Sequence, residues 1–170
     1  LDQAGELHRV TAKVSPILEI SQITDRVSKS AAPTTSVTAA MTDARHAHLG
    51  GKALLFENVE GSDMPLAINL FGSYRRMEMA LGCTEGGFES LADQVAKMIK
   101  PEPPTGMIEK LKKLPELAKI ASFAPKIVRS GICQQVVKTG DEIDLFCLPI
   151  IKCWPYDGDP RKVGYSVDPP

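Results

Sequence analysis

Two closely spaced histidines are the first residues of this chain whose type and spacing suit chemistry. His46 and His48 have the spacing of two metal ligands, but His8, the third histidine, is distant in the sequence. A complete zinc-type site needs further imidazole, thiolate or carboxylate ligands, which would have to come from elsewhere. We therefore expect two exposed histidines in a loop rather than a metal site.

Cys153 is a candidate nucleophile because it follows Lys152, and a neighbouring cation favours the reactive thiolate. Nucleophilic catalysis also needs a base, and no histidine lies near Cys153 in the sequence. We therefore expect a buried structural cysteine at this position.

Gly50, Gly51 and Lys52 partly resemble a phosphate-binding loop. The full motif has two glycines separated by four residues, then Lys and Ser or Thr, between a strand and a helix. Here Ala53 follows the lysine and begins a predicted strand, so we assign the glycines to a turn.

Three polar residues, Glu57, Asn58 and Asn69, interrupt segments that otherwise have the composition of apolar strands. Exposure at a sheet edge or on an alternating face is the simpler explanation. The alternative is that these side chains orient a loop or an interface through hydrogen bonds.

Arg75 and Arg76 lie at the predicted start of a helix, where the helix dipole disfavours cations. A bound carboxylate or phosphate would explain both arginines. An ion pair with Glu78, or simple solvation, is the expected role.

Periodicity and capping signals predict the elements that position these residues. Residues 6–14 alternate as a strand, and Ser15 with Pro16 predicts the start of a helix that ends near Ser30. Its apolar stripe is formed by Ile17, Ile20, Ile23 and Val27. Further strands are predicted at 53–59 and 66–71, and further helices at 73–82 and 88–99.

Two other segments near the beginning of the chain are predicted to be a helical turn and a loop. Gly5 is expected to close a helical turn as its left-handed C-terminal residue. Residues 31–51 lack an apolar period and predict a long surface loop, where protease should cut before it cuts at 101–106.

The second half of the chain opens with a proline-rich break at 101–106. Two short helices should follow within a linker, residues 101–126. Strands are predicted at 134–137 and 143–151, on either side of a turn at Thr139-Gly140-Asp141. The mixture of strands and helices indicates an α/β class, with α+β as the alternative.

Composition excludes several classes of protein. The 170 residues carry a formal net charge of −1, which disfavours a nucleic-acid binder, and 43% are hydrophobic, which is ordinary for a globular chain. No apolar run approaches the roughly 20 residues of a membrane helix, and no secretion signal opens the chain. The four cysteines show no CxxC spacing, so we expect free thiols and a cytoplasmic location.

Several phrases, in order, resemble the N-terminal part of the UbiD-type decarboxylases, the family of 3-polyprenyl-4-hydroxybenzoate carboxy-lyase. The resemblance extends from residue 1 to about residue 158. The phrases are Gly5–Val10, Ile23–Val27, Ala53–Val59, Asn69–Ser73, Arg76–Met77, Lys100–Pro104, Leu148–Ile150 and Lys152–Gly158.

The resemblance implies a cytoplasmic (de)carboxylase of aromatic or α,β-unsaturated carboxylic acids. It also implies prenylated FMN as the electron sink, with Mn²⁺ and K⁺, and a flavin prenyltransferase as the supplier of the cofactor. The implied organisation is an N-terminal α/β domain at 1–100, the linker, the first strands of a flavin-binding split β-barrel at 127–158, and an atypical tail at 159–170.

The family's site residues have no counterpart in this chain. The family phrase Arg-Asn-Val-Gly-Met-Tyr-Arg carries a metal-contacting Asn and an Arg of the acid–base network. Here Lys162 stands at the Asn position, and no Arg follows Tyr165. We therefore assign no catalytic, cofactor-binding or metal-binding residue, and we expect this chain alone to bind neither cofactor nor metal.

Three hypotheses remain open from the sequence. The first is an N-terminal piece of a UbiD-like enzyme, inactive alone and partnered by the rest of such a chain or by copies of itself. The second is a short non-catalytic paralogue that docks on a full-length partner. The third is a structural resemblance with another activity. Uncovered apolar side chains at 134–151 predict self-association of the isolated chain.

Overall fold

The computed structural model describes residues 1–99, 115, 118, 122, 124–125 and 127–157. The chain divides into two units, one formed by Leu1–Leu91 with Asp144–Pro170 and the other by Ala92–Ile143. The short helices predicted within 101–126 lie largely outside the described residues, and the tail at 159–170 lies wholly outside them.

A three-stranded sheet is the centre of the first unit. Its strands are β1 (Leu7–Val10), β2 (Ala53–Phe56) and β3 (Leu66–Ile68), in that spatial order. β1 is parallel to β2, with Leu7 opposite Ala53, whereas β3 is antiparallel to β2. The three predicted strands are confirmed with shorter bounds. A parallel pair needs a long crossover, which here contains the first two helices.

The first helix, α1 (Glu19–Ser28), begins later than predicted. Ser15 is not its N-cap: the backbone between Pro16 and Leu18 pairs with Lys152 instead, and Leu18 adopts a left-handed φ of 66°. Helical geometry therefore starts only at Glu19, whose side-chain oxygen accepts the N–H of Ser15 at 2.6 Å.

A helix within the predicted loop corrects the assignment of residues 31–51. α2 (Val37–Thr42) is capped by Ser36, whose hydroxyl oxygen accepts the N–H of Ala39 at 3.0 Å. Ala39 and Ala47 are buried, and Ala31 forms an antiparallel bridge with Leu49. The segment packs through small residues, which give little hydrophobic periodicity, so the sequence pattern underestimates its order.

Within residues 1–99, the remaining helices are α3 (Tyr74–Leu81) and α4 (Gly87–Ile99). The predicted bounds of α3 are confirmed at both ends. Ser73 caps its N-terminus by accepting the N–H of Arg76, and Gly82 closes it with a φ of 68°. Gly5 likewise closes the opening turn: its N–H donates to Asp2 and that of Glu6 to Leu1.

The hydrophobic core lies between α1 and the sheet. It is formed by the buried side chains of Val14, Ile20, Leu54, Phe56 and Val59. Full burial of side chains of this size stabilises the fold by about 1.5–3 kcal/mol each. Ile23 and Val27 pack against this core as the α1 stripe predicts, but Ile17 is 64% exposed.

The strands predicted at 134–137 and 143–151 are wrong. Short 3-10 turns occur at Ile132–Gln134, Gly140–Glu142 and Leu145–Cys147, and an isolated bridge forms at Lys152. Strands require hydrogen-bonded neighbours, and among the described residues no second strand lies beside these segments. The split barrel is therefore not shown by the part of the chain that the structure describes.

Candidate functional site

A buried arginine, Arg76, organises one end of the sheet. Its guanidinium pairs with the Glu6 carboxylate at 3.0 Å, and both side chains are almost completely buried. It also donates to the carbonyl oxygens of Gly50, Gly51 and Leu70 at 2.9, 2.6 and 3.2 Å. For Arg76, the expected solvation or ion pair with Glu78 is therefore wrong, because its guanidinium is bound by Glu6 and three carbonyl groups.

One oxygen of this cluster has no partner. Glu6 Oε1 is buried and accepts no hydrogen bond from any residue that the structure describes. Buried acceptors are normally satisfied, often by an ordered water molecule. The Arg76 guanidinium donates to the other carboxylate oxygen, Glu6 Oε2.

The turn at Gly50 and Gly51 is held at this end of the sheet by a second side chain. Asn69, at a φ of 59°, donates from Nδ2 to the carbonyl oxygens of Gly50 and Lys52 at 2.9 and 2.8 Å. The loop-orienting alternative is thus confirmed for Asn69. A Cβ atom on Gly50 would collide with the carbonyl oxygen of Gly72, so the glycine permits a close backbone approach.

The other two polar interruptions are exposed, as the simpler explanation predicts. Glu57 forms an ion pair with Arg9 at 2.8 Å, and the side chains of both residues are substantially exposed. The hydrogen bonds that the Arg9 guanidinium donates to the carboxylates of Glu57 and Asp2 raise the pKa of Arg9. Exposed pairs of this kind contribute little to stability.

Glu78 is the second buried carboxylate of the unit. It accepts hydrogen bonds from the hydroxyl groups of Ser36 and Thr38, at 2.5 and 2.8 Å. Ser36 thereby both caps α2 and ties that helix to α3. Its partners are internal to the fold, so the arrangement is structural.

His46 belongs to a short polar chain that joins the turn after α2 to α3. Asp43 accepts from the hydroxyl of Tyr74 at 2.9 Å, and its other oxygen lies 3.0 Å from His46 Nδ1. The Tyr74 hydrogen bond is the main cause of the lowered pKa of Asp43, and the same bond raises the pKa of Tyr74. His46 and His48 are both exposed, as predicted.

An open cleft of about 730 Å³ lies beside α1. One wall is the segment Cys153-Trp154-Pro155, and Leu18 and Ile68 add apolar surface. Cys153 is exposed, so the buried cysteine expected there is wrong; Cys83 is the buried cysteine among the four. The remaining lining residues come from α1 and from Lys29, the residue that follows it: Ser21, Gln22, Thr24, Asp25, Arg26 and Lys29.

Hydrogen bonds to Lys152 hold this wall in place. Its N–H donates to Pro16 at 2.9 Å, and its carbonyl accepts from the N–H of Leu18 at 3.0 Å and the hydroxyl of Ser21 at 3.1 Å. The Asp157 carboxylate accepts hydrogen bonds from the N–H groups of Cys153 and Trp154, at 2.9 and 2.8 Å. The backbone from Lys152 to Trp154 is therefore held by hydrogen bonds.

The sequence missed Glu6, Asp43 and the cleft. Glu6 lies within the phrase Gly5–Val10, but no spacing links Glu6 to Arg76, or Asp43 to Tyr74, because these partners lie far along the chain. The phrase Lys152–Gly158 did mark one wall of the cleft, but no local pattern links it to α1.

Neither a metal site nor a membrane helix is found within the described ranges. No three His, Cys, Asp or Glu side chains come close enough together there to hold a metal ion. Among the same residues, no helix has the length and apolar character needed to cross a bilayer.

Comparison with known proteins identifies relatives. The model of the 3-octaprenyl-4-hydroxybenzoate carboxy-lyase N-terminal domain matches residues 1–97. An uncharacterized protein of Aquifex aeolicus (strain VF5) is 44% identical over 161 residues, which span 93% of this chain but only 28% of that protein.

The structure of the UbiD-class enzyme HmfF from Pelotomaculum thermopropionicum, in complex with FMN, shares 28% identity, covering 62% of this chain and 20% of that chain. Its TM-score of 0.37 is too low to establish a common fold. The family model, by contrast, covers more than half of the sequence. The chain therefore belongs to the family defined by the N-terminal domain of 3-octaprenyl-4-hydroxybenzoate carboxy-lyase.

Proposed function

We propose that this chain is the N-terminal part of a UbiD-like carboxy-lyase that acts on aromatic or α,β-unsaturated carboxylic acids in the cytoplasm. The observation that carries the proposal is the family match over residues 1–97. The chain spans only 28% of its Aquifex relative, so activity is proposed for the longer protein and not for this piece.

A manganese site does not fit the described residues. Manganese needs a set of oxygen and nitrogen ligands, and the described part of the chain brings no three suitable side chains together. Of the two carboxylates that are buried in the described part of the chain, Glu78 accepts from two hydroxyl groups and Glu6 pairs with Arg76 through one oxygen. We therefore assign prenylated FMN, Mn²⁺ and K⁺ to the longer enzyme and derive no step through them here.

The proposed partners follow from the same reasoning. The remainder of a UbiD-like chain, or further copies of this one, would cover its apolar surface, and a flavin prenyltransferase would supply the cofactor. The described residues would contribute a folded α/β unit and no reacting group.

The alternative is a non-catalytic subunit that docks on a full-length partner. The observation that favours it is exposed apolar surface between residues 127 and 157, where Phe146 is 88% exposed and Trp154 is 71% exposed. Such surface commonly marks an interaction site.

Cofactor titration tests the first proposal. We expect the 170-residue chain, titrated with prenylated FMN and Mn²⁺, to show no stoichiometric change in flavin absorbance and no release of CO₂. The longer Aquifex relative, produced with a flavin prenyltransferase, should bind the flavin and decarboxylate aromatic acids. Turnover by the short chain would place the active site within it, and an inactive, flavin-free relative would contradict the proposed activity.

Mixing the two proteins tests the alternative. A stable one-to-one complex that raises the relative's turnover would favour a docking subunit. Independent sedimentation of the two proteins, with unchanged turnover, would contradict that role.

A further inference from the structure

The cleft beside α1 is lined by the helix face opposite the core. Gln22 and Arg26 are four residues apart in α1, so their side chains lie side by side on the helix surface. We call this pair the polar row. The core-facing side of α1 carries Ile20 and Ile23 instead. The polar row is thus free to face the cleft without disturbing the packing of the fold.

Most polar side chains along the cleft already have partners. Ser21 donates to the Lys152 carbonyl, Thr24 donates to the Ile20 carbonyl at 2.7 Å, and Lys29 pairs with Asp25 at 2.7 Å.

Two side chains of the polar row remain without a partner. Within the described part of the chain, neither the Gln22 amide nor the Arg26 guanidinium makes a side-chain hydrogen bond or an ion pair. Two cations and one carboxylate line the cleft, so its charge favours an anion.

The opposite wall presents an aromatic face. Trp154 is 71% exposed, although its backbone N–H is fixed by Asp157 and the preceding residue is anchored to α1. An uncovered indole on a backbone that is held in place offers a flat surface for stacking.

We propose that this cleft binds a planar organic anion, with its ring against Trp154 and its carboxylate or phosphate group on the Arg26 guanidinium. The guanidinium fork matches either anion in a bidentate geometry. The cleft volume, about 730 Å³, lies within the usual range for small-molecule sites, about 300–1,000 Å³. The proposal goes beyond the carboxy-lyase assignment, which places no ligand on these residues.

The single tryptophan of the sequence makes the test direct, because all indole fluorescence comes from the cleft wall. The full 170-residue chain is titrated with benzoate, phenyl phosphate, neutral benzamide and non-planar cyclohexanecarboxylate, with excitation at a wavelength where these probes are transparent. We expect a saturable change with at least one aromatic anion, and binding weaker by about tenfold for the last two probes.

The aromatic anions distinguish two sources of the same chemistry. Preference for benzoate would identify a carboxylic acid as the ligand class, and preference for phenyl phosphate would identify a phosphate ester. A saturable response to neither anion, or equal affinity for benzamide, would overturn the proposal.

Matched variants locate the site. Arg26→Gln should weaken binding of the preferred anion by about tenfold, whereas Arg45→Gln, which removes an exposed arginine outside the cleft, should leave it unchanged. Trp154→Leu, followed by calorimetry, should weaken binding as well. Unchanged circular dichroism would confirm that each variant folds, and wild-type affinity in Arg26→Gln would overturn the assignment. Each of these results is independent of whether the longer relative decarboxylates its substrate.

Discussion

Arg76 is the residue on which the largest number of buried polar contacts depends. Arg76→Met would leave the Glu6 carboxylate buried without its cation and three carbonyl groups without their donor. We expect a loss of about 3–5 kcal/mol in the free energy of unfolding, measured in urea. Glu6→Gln should cost less, since Arg76 then keeps its carbonyl partners.

Its neighbour in the sequence provides the control for this comparison. Arg75→Met should change stability by no more than about 0.5 kcal/mol, because Arg75 makes no hydrogen bond or ion pair within the described residues. Equal losses for Arg75→Met and Arg76→Met would show that the buried cluster does not carry the stability assigned to it.

Asp43 gives the first unit a defined response to acid. The Tyr74 hydrogen bond lowers the pKa of Asp43 below its ordinary value of 3.8, and the hydrogen bond with His46 lowers it further, while burial opposes both. The contribution to stability is therefore complete above about pH 4 and is lost as pH falls through the lowered pKa. We expect Tyr74→Phe to raise the pKa of Asp43 more than His46→Gln does, as measured by carboxyl NMR titration. The reverse order would contradict the assigned cause.

Sequence reasoning at the residue scale succeeded where the cause is local. Ser73 and Gly82 bound α3 as capping preferences require. It failed for Arg76, because the helix dipole is a local consideration and the decisive partner is Glu6, 70 residues earlier in the chain. Burial of a charge depends on tertiary packing, which no spacing along the chain reveals.

At the scale of elements, α2 depends on one serine. Ser36→Ala would remove the acceptor for the Ala39 N–H and one of the two hydroxyl donors to Glu78. We expect a cost of about 1–3 kcal/mol and faster amide hydrogen exchange over residues 37–42. Thr35→Ala, at an exposed neighbour, should leave exchange unchanged.

This expectation replaces the one drawn from sequence, in which protease cuts residues 31–51 first. The α2 helix and its buried alanine, Ala39, should protect 36–42 while the wild-type serine is present. Rapid cleavage within 36–42 of the wild-type chain would show that the helix is not stably formed.

The predicted strands that form and those that do not form differ in whether a partner strand lies beside them. The predictions of β1, β2 and β3 are confirmed. Each of these strands forms because it has a hydrogen-bonded neighbour within the same unit. Residues 134–137 and 143–151 have comparable β-forming composition, but the described residues place no neighbouring strand beside them. Propensity alone does not make a strand, since the pairing partner supplies the hydrogen bonds.

At the scale of the whole molecule, exposed apolar side chains favour self-association in solution. Val136, Ile143, Leu145, Phe146 and Ile150 are all exposed within their own units. We expect the isolated chain to self-associate with increasing concentration in sedimentation experiments, because contact between such side chains removes apolar surface from water.

A pair of charge substitutions tests which surface is responsible. Phe146→Asp should reduce self-association without lowering the free energy of unfolding, since the side chain is 88% exposed. Met41→Asp, at an equally exposed position on α2, is the control and should leave association unchanged. A clean monomer at high concentration for the wild-type chain would contradict the expectation altogether.

The bridge between Ile17 and Lys152 has a consequence for the order in which the molecule forms. During synthesis, β1 leaves the ribosome early, but its partner strand starts only at residue 53 and the cleft wall only near residue 152. The β2–β3 pair closes a much shorter loop, so it should form before either long-range contact. In refolding, Trp154 fluorescence should therefore lag behind far-ultraviolet circular dichroism, and identical rates would show a single step. Completion of the cleft would then mark the end of folding.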